Sequence, residues 1–191
     1  LLGHFGVEPK GVWLPERVWE PWLASSLAAT GMRYTVLDDF HFKAAGLGAD
    51  QLTGYFLTED QGTLFRVFPL REELRYAIPF HDPEDTIRIL DAFRSEAGNR
   101  VIVYADDGEK FGGWPRTKEH VYTNGWLARF LQALERRRDE IRMVTFSEAI
   151  QSTPPAGKVY LPTCSYREMG EWSLLPAGQK DYLRIAKSGP F

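Results

Sequence analysis

Two stretches of this chain place acidic side chains among aromatic rings. Residues 11–21 carry Glu16 close to two tryptophans, and residues 104–115 carry three acids followed by a tryptophan. Aromatic faces stack on sugar rings, and a pair of carboxyl groups can cleave a glycosidic bond. Because two acids in such settings suggest a division of labour, the pattern predicts carbohydrate chemistry.

Glu16 lies between Pro15 and Arg17, and this setting has two interpretations. In the first interpretation, Glu16 forms a local ion pair with Arg17, and such a pair contributes little to stability at a protein surface. Alternatively, Glu16 is a nucleophile whose ionised form is maintained by the neighbouring guanidinium. The residues alone leave both interpretations open.

The second stretch contains Asp106, Asp107 and Glu109. Such a cluster could cap a helix and lead into a loop. Three neighbouring acids also repel one another and raise the pKa of at least one of them, which is what a general acid needs. Of two adjacent residues at a strand end, only one points to a given side.

Four further side chains are candidates for sugar contacts. Trp13 and Trp114 either pack in loops or offer stacking platforms beside the cleaved bond. Asp39 and His41 alternate, so in extended chain they point the same way, and we weigh contacts with sugar hydroxyls equally against structural roles.

The elements that must position these residues alternate between strands and helices. Acids recur where strands end, which is typical of a parallel α/β barrel. Residues 43–60 show no period, and residues 153–157 are predicted to be a rigid linker. Strands are predicted at 12–14, 34–37, 63–68, 101–104 and 143–146, and helices at 21–30, 69–76, 83–97, 123–141, 148–151 and 178–187.

The composition is that of an ordinary globular protein with a net charge of −3. It carries no basic patch for nucleic acid or anionic membrane, and no apolar stretch long enough to span a bilayer. The single cysteine, Cys164, excludes an internal disulfide bond and fits a reducing compartment. We therefore expect a cytoplasmic location and neither a nucleic-acid nor a membrane partner.

A metal site is a further alternative, because Tyr-Ala-Asp-Asp-Gly superficially resembles the Phe-Asp-Asp-Gly of metal-dependent polysaccharide deacetylases. Those enzymes also need a His-x-x-x-His pair. The four histidines, His4, His41, His81 and His120, are scattered and supply none. We therefore expect no metal and no other cofactor.

Four segments resemble the glycoside hydrolase family 57, and in particular its 4-α-glucanotransferases and related α-amylases. They are residues 13–21, 31–42, 106–115 and, more loosely, 165–172. The resemblance covers nearly the whole chain. It implies an α/β fold of the (β/α)7 barrel type.

The resemblance also implies the roles of the site residues. Glu16 falls on the family's nucleophile and Asp107 on its proton donor. The reaction is then a retaining one on α-glucans or maltooligosaccharides, performed by carboxylates without a cofactor. The predicted substrate-binding residues are Trp13, Asp39, His41, Glu109 and Trp114.

Several family segments do not occur in this chain, including the initial His-x-His-Gln-Pro strand and a later Tyr-Trp-His-Gly. We therefore expect an internal piece of a longer enzyme, with four or five strands, too few to close a barrel. Residues 1–157 are predicted to form a partial barrel whose first strands are missing. Residues 158–191 are predicted to end the barrel and lead into a helical region.

The sequence is consistent with three functions. The motif Glu-Lys-Phe-Gly-Gly-Trp-Pro at residues 109–115 favours a 4-α-glucanotransferase. The alternatives are an α-amylase-type hydrolase of the same family and a glucan-binding fragment without catalysis. The sequence leaves the oligomeric state unknown.

Overall fold

The computed structural model describes residues 2–188 and contains an open, mostly parallel sheet. Its spatial order is β1-β2-β4-β3-β5. β1, β2 and β4 run parallel, β3 returns antiparallel along β4, and β5 is parallel to β3. The strands are β1 Gly11–Val12, β2 Tyr34–Asp38, β3 Phe56–Asp60, β4 Thr63–Leu70 and β5 Gly157–Lys158.

The helices have clear start signals where the sequence supplies them. The Asp82 carboxylate accepts a hydrogen bond from the backbone N–H of Glu84, and Pro83 fits the first helical position of α5. The helices are α1 Leu2–Phe5, α2 Leu23–Ala29, α3 Asp39–Ala44, α4 Glu72–Ala77, α5 Pro83–Asp91, α6 Trp126–Arg136, α7 Phe146–Ser152, α8 Arg167–Trp172 and α9 Pro176–Ser188.

The carboxyl ends of the parallel strands meet at one edge of the sheet. β1 leads into the Glu16 segment and β2 into α3. Val103 bridges Leu70 at the end of β4 in parallel orientation, and its carbonyl accepts from the Arg71 N–H at 3.0 Å. The acid-rich loop after Val103 therefore lies on the same rim as the loops after β1 and β2.

Aromatic side chains fill the core beneath this rim. Trp19, Phe42 and Phe65 belong to one buried cluster, while Phe68 and Val103 belong to a second on the sheet. Burial of each large side chain contributes about 1.5–3 kcal/mol relative to exposure. The rim is thus built on a well-packed support.

Several predicted elements are confirmed in place, among them the strands near 34–37 and 63–68 and the helix within 21–30. Residues 43–60 were predicted to be irregular, yet they contain β3. The turn between β3 and β4 has Gln61 at φ 49° and Gly62 at φ 80°, and consecutive positive values suit a tight hairpin.

The strand predicted at 143–146 is wrong. Thr145 accepts a hydrogen bond from the Glu148 N–H, and the Glu148 carboxylate accepts from the Thr145 N–H. This reciprocal cap starts α7 at Phe146, two residues before the start of the helix predicted at 148–151. The strand predicted at 101–104 is reduced to the Val103 bridge.

The long helix predicted at 123–141 is shorter. A π-helical turn at Glu119–Thr123 precedes α6, which ends at Arg136. The sheet is not closed within residues 2–188, so the structure establishes a mostly parallel α/β sheet and the barrel stays a prediction. The boundary at residue 157 also stays a prediction. Leu1 and residues 189–191, at the ends of the two predicted regions, lie outside the described part.

Candidate active site

Glu16 occupies a strained turn directly after β1. It lies in the short 3₁₀ segment Pro15–Arg17, with φ of 52° at Glu16 and 50° at Arg17. Two consecutive non-glycine residues in the left-handed region are costly and persist only where the surroundings impose them. The turn leaves the Glu16 side chain exposed and buries Arg17.

Residues 163–166 hold this turn from the far end of the chain. Trp19 and Cys164 exchange two backbone hydrogen bonds of 2.8 and 3.2 Å. The Ser165 hydroxyl donates to the Glu16 carbonyl, and the Tyr166 hydroxyl donates to Glu16 Oε2. Burial and this hydrogen bond raise the pKa of Tyr166 to about 12. The phenol is therefore a donor at neutral pH.

His41 supports the same turn from within the core. Its Nε2 lies 2.8 Å from the carbonyl oxygen of Arg17, and its Nδ1 lies 3.1 Å from that of Asp38. The ring is completely buried, and burial lowers its pKa. A neutral imidazole has one N–H, so it donates to only one of these carbonyls. This position argues against the predicted contact of His41 with a sugar hydroxyl.

Asp39 is likewise buried, with 3% of its surface exposed. Its Oδ2 lies 2.7 Å from Lys43 Nζ, while Oδ1 has no hydrogen-bond partner among the described residues. Asp39 begins α3, so its side chain follows helical and not extended geometry. The predicted sugar contact of Asp39 therefore has no support in this arrangement.

Asp38, which the sequence analysis passed over, lies between two arginines. Its Oδ2 lies 3.8 Å from Arg17 Nε and 3.7 Å from Arg75 Nη1, and its Oδ1 accepts from the Phe40 N–H at 3.2 Å. Burial raises the pKa of Asp38 to about 6, against the lowering effects of the Phe40 hydrogen bond and of Arg17.

Arg75 extends this ion-pair network to the second acidic loop. Its Nε donates to Asp106 Oδ1 at 3.1 Å, and its Nη2 lies 3.6 Å from Asp107 Oδ2. Arg75 therefore links the end of β2 to the loop after Val103.

The adjacent acids Asp106 and Asp107 have different surroundings. The Asp106 side chain is 1% exposed and lies 2.6 Å from Lys110 Nζ, whereas the Asp107 side chain is 47% exposed. Asp107 is therefore the one open to a substrate. The Glu109 side chain is exposed, and its carbonyl accepts the N–H groups of Gly113 and Trp114 at 2.8 and 2.9 Å.

Both predicted tryptophan platforms are partly exposed. Trp13 is 41% exposed, and the Arg17 guanidinium lies 5.4 Å from its ring centre. Trp114 is 43% exposed and stacks on Phe80, with ring centres 6.0 Å apart and an interplanar angle of 18°. Both indoles are thus accessible beside the acids.

Sequence reasoning missed four residues of the site. Asp38 stands at the end of a clear strand, so its position was a usable signal. Tyr166 falls within the loosely matched segment 165–172, but nothing there indicated a contact with Glu16. Arg75 carried no signal, because its partners come from other parts of the chain, whereas Lys110 pairs with Asp106 four residues earlier, so that spacing was a usable signal.

Clusters of metal ligands and membrane-spanning helices are two further features that the described residues lack. Across residues 2–188, no group of three or more histidine, cysteine, aspartate or glutamate side chains is placed to hold a metal ion. Among the helices described, none has both the length and the apolarity needed to cross a bilayer.

Comparison with known proteins identifies relatives. The model of glycosyl hydrolase family 57 matches residues 2–162. The chain is 48% identical to α-amylase 1 of Dictyoglomus thermophilum over 181 residues, which is 95% of this chain and 26% of that protein. It is also 48% identical to the 4-α-glucanotransferase of Thermococcus litoralis over 174 residues, 91% of this chain and 26% of that protein.

A solved structure supports the same relationship. The crystal structure of the Thermococcus litoralis 4-α-glucanotransferase superposes with a TM-score of 0.89 at 46% identity, covering 93% of this chain and 28% of that one. The chain thus spans about a quarter of the length of the curated relatives that it matches.

Proposed function

This chain belongs to glycosyl hydrolase family 57, and from that premise we propose that it carries the catalytic carboxylates of a retaining 4-α-glucanotransferase acting on α-1,4-glucans. The observation that carries the proposal is the pair of exposed acids, Glu16 and Asp107, on one rim. Buried Asp38 and half-buried Arg75 lie between their loops.

In the proposed reaction Glu16 attacks the anomeric carbon while Asp107 donates a proton to the leaving glycosidic oxygen. A covalent glycosyl-enzyme forms. Asp107, now ionised, removes a proton from an acceptor hydroxyl, which attacks the anomeric carbon and releases Glu16. In a retaining site the two carboxyl groups lie about 5–5.5 Å apart around a bound sugar.

One neighbouring charge suits this exchange of roles. Arg75 Nη2 lies 3.6 Å from Asp107 Oδ2, so the guanidinium is placed beside the carboxylate that remains after the proton has been donated. In this proposal Asp107 is an acid in the first step and a base in the second.

The acceptor decides between transfer and hydrolysis. Trp13 and Trp114 present indole surface beside the acids, and a stacked sugar competes with water for the glycosyl-enzyme. The relatives that match the chain include an α-amylase as well as a 4-α-glucanotransferase, so an α-amylase-type hydrolase is the second candidate. Glu109, exposed on the same loop, is proposed to contact the substrate.

We further propose that the open sheet is the parallel-strand part of a (β/α)7-type barrel. Support comes from the superposition on a quarter of the Thermococcus litoralis enzyme. β1 pairs only with β2 among the strands described, so its other edge is open to a further strand.

The test uses the protein at its natural length with maltoheptaose. Glu16→Gln and Asp107→Asn are each expected to lower turnover by several orders of magnitude while glucan binding persists. Exposed Glu96→Gln is the matched control. The appearance of maltooligosaccharides longer and shorter than maltoheptaose measures transfer, and the number of new reducing ends measures hydrolysis. Wild-type turnover by Glu16→Gln would refute the assignment, and binding without any turnover by the unmodified protein would favour a binding fragment.

A further inference from the structure

We propose that Tyr166 is a positioning residue for Glu16: its hydroxyl holds Oε2, so that Oε1 is the oxygen that attacks the sugar. This inference rests on the proposed role of Glu16. It concerns a residue beyond position 162, where the match to the family model ends.

The contact is part of a two-point attachment. Tyr166 donates to the Glu16 carboxylate, and its neighbour Ser165 donates to the backbone carbonyl of the same residue. Two consecutive residues therefore hold both the side chain and the main chain of Glu16. An exposed glutamate in a turn would otherwise sample several rotamers.

Tyr166 is itself held rigidly. Its ring covers the Arg17 guanidinium at 4.2 Å and meets the Trp172 ring edge-on at 5.9 Å and 86°. The residue is 8% exposed. A donor fixed by its own packing orients an acceptor at little additional entropic cost.

The hydrogen bond persists through the reaction in a changed form. In the resting site the phenol donates to a carboxylate oxygen. When Oε1 bonds to the anomeric carbon and the glycosidic C–O bond breaks, Oε2 becomes the ester carbonyl oxygen. The same O–H then donates to that carbonyl, and no proton is transferred from Tyr166.

One consequence distinguishes positioning from mere packing. Loss of the hydroxyl lowers kcat more than it changes KM, because the sugar subsites are untouched and only the orientation of the attacking carboxylate is lost.

The experiment compares Tyr166→Phe with Tyr160→Phe in the protein at its natural length. Tyr160 also donates to a glutamate, Glu59 Oε2 at 3.0 Å, and is 62% exposed. Tyr166→Phe is expected to lower kcat about 10- to 100-fold, as for loss of a hydrogen bond to a charged group. KM should stay within about twofold, and Tyr160→Phe should match the wild type.

Rates are expressed per folded protein, measured by circular dichroism at the assay temperature, so that a stability loss is not counted as a loss of positioning. Ser165→Ala, which keeps the phenol, is expected to have a smaller effect on kcat. A wild-type kcat in Tyr166→Phe, or a loss of kcat matched by an equal change in KM, would overturn the inference.

Failure of the proposed function has a different signature. If Glu16→Gln keeps its activity, Glu16 is not the nucleophile and the inference falls with it. If Glu16→Gln is inactive and Tyr166→Phe behaves as wild type, the function stands and only the positioning role is lost.

Discussion

Arg75 lies 3.7 Å from Asp38 and donates to Asp106 at 3.1 Å, so one guanidinium joins the strand end of β2 to the acidic loop after Val103. Asp38 also lies 3.8 Å from Arg17, so the loops that carry Glu16 and Asp107 are linked through buried charge although they are distant in sequence. This coupling gives the first prediction.

Arg75→Met should lower both stability and turnover. Asp38 and Asp106 lose their shared partner but keep Arg17 and Lys110, so the expected loss of stability is about 1–3 kcal/mol. Thermal unfolding and maltoheptaose turnover measure the two effects. Arg88→Met, whose side chain is 73% exposed, removes an ion pair with Asp85 and is the control. Equal unfolding temperatures for the two variants would contradict the prediction.

The contribution of Asp38 to stability should fall as the pH rises from about 4 to about 6. Its pKa is raised to about 6 from an ordinary value of 3.8, so in this window the folded chain binds more protons than the unfolded chain. The contribution of Asp38 to the free energy of unfolding therefore decreases as the pH rises through this window. Asp38→Asn lacks this titration. The free energy of unfolding of the variant, relative to that of the wild type, should therefore increase as the pH rises.

Urea unfolding at four pH values between 4 and 7 measures the difference between Asp38→Asn and the wild type. Asp139→Asn, which removes an exposed carboxylate, is the control. A constant difference for Asp38→Asn would show that Asp38 titrates as an ordinary aspartate.

Trp114→Ala should weaken transfer relative to hydrolysis. A stacked indole contributes about 1 kcal/mol to holding an acceptor sugar, so KM for maltooligosaccharides should rise several-fold. Trp22→Ala, which removes an indole that is 56% exposed, is the control. If Trp114→Ala only lowers the unfolding temperature, with unchanged transfer, the indole packs on Phe80 and does not hold sugar.

The 191-residue chain by itself should be poorly active and prone to association. Its sheet has open edges at β1 and β5 among the described strands, and unpaired strand edges recruit other chains. Light scattering after size-exclusion chromatography and a maltoheptaose assay test both points. A monomer that disproportionates maltoheptaose efficiently would contradict this prediction.

The sequence predicted the elements whose signals are local. The apolar run of β2 and the Asp82-Pro83 start of α5 were read correctly. At residues 143–146 the apolar run predicted a strand, whereas Thr145 and Glu148 are suited to cap a helix. The helix forms because their reciprocal hydrogen bonds satisfy its first N–H groups.

The site was only partly predictable for the same reason. The acids stood out because aromatic residues and strand ends surround them. The burial of His41 and Asp39 depends on packing between distant segments, and alternation in the sequence could not report it. Arg75 became visible only once the loops were placed next to each other.

The attachment of Tyr166 to Glu16 spans 150 residues of sequence. Closing a loop of this length costs entropy, so we expect the contact to form after the more local pairing of the sheet strands. We then expect the strained turn at Glu16 to reach its final geometry in a later step than the one that forms the core beneath it.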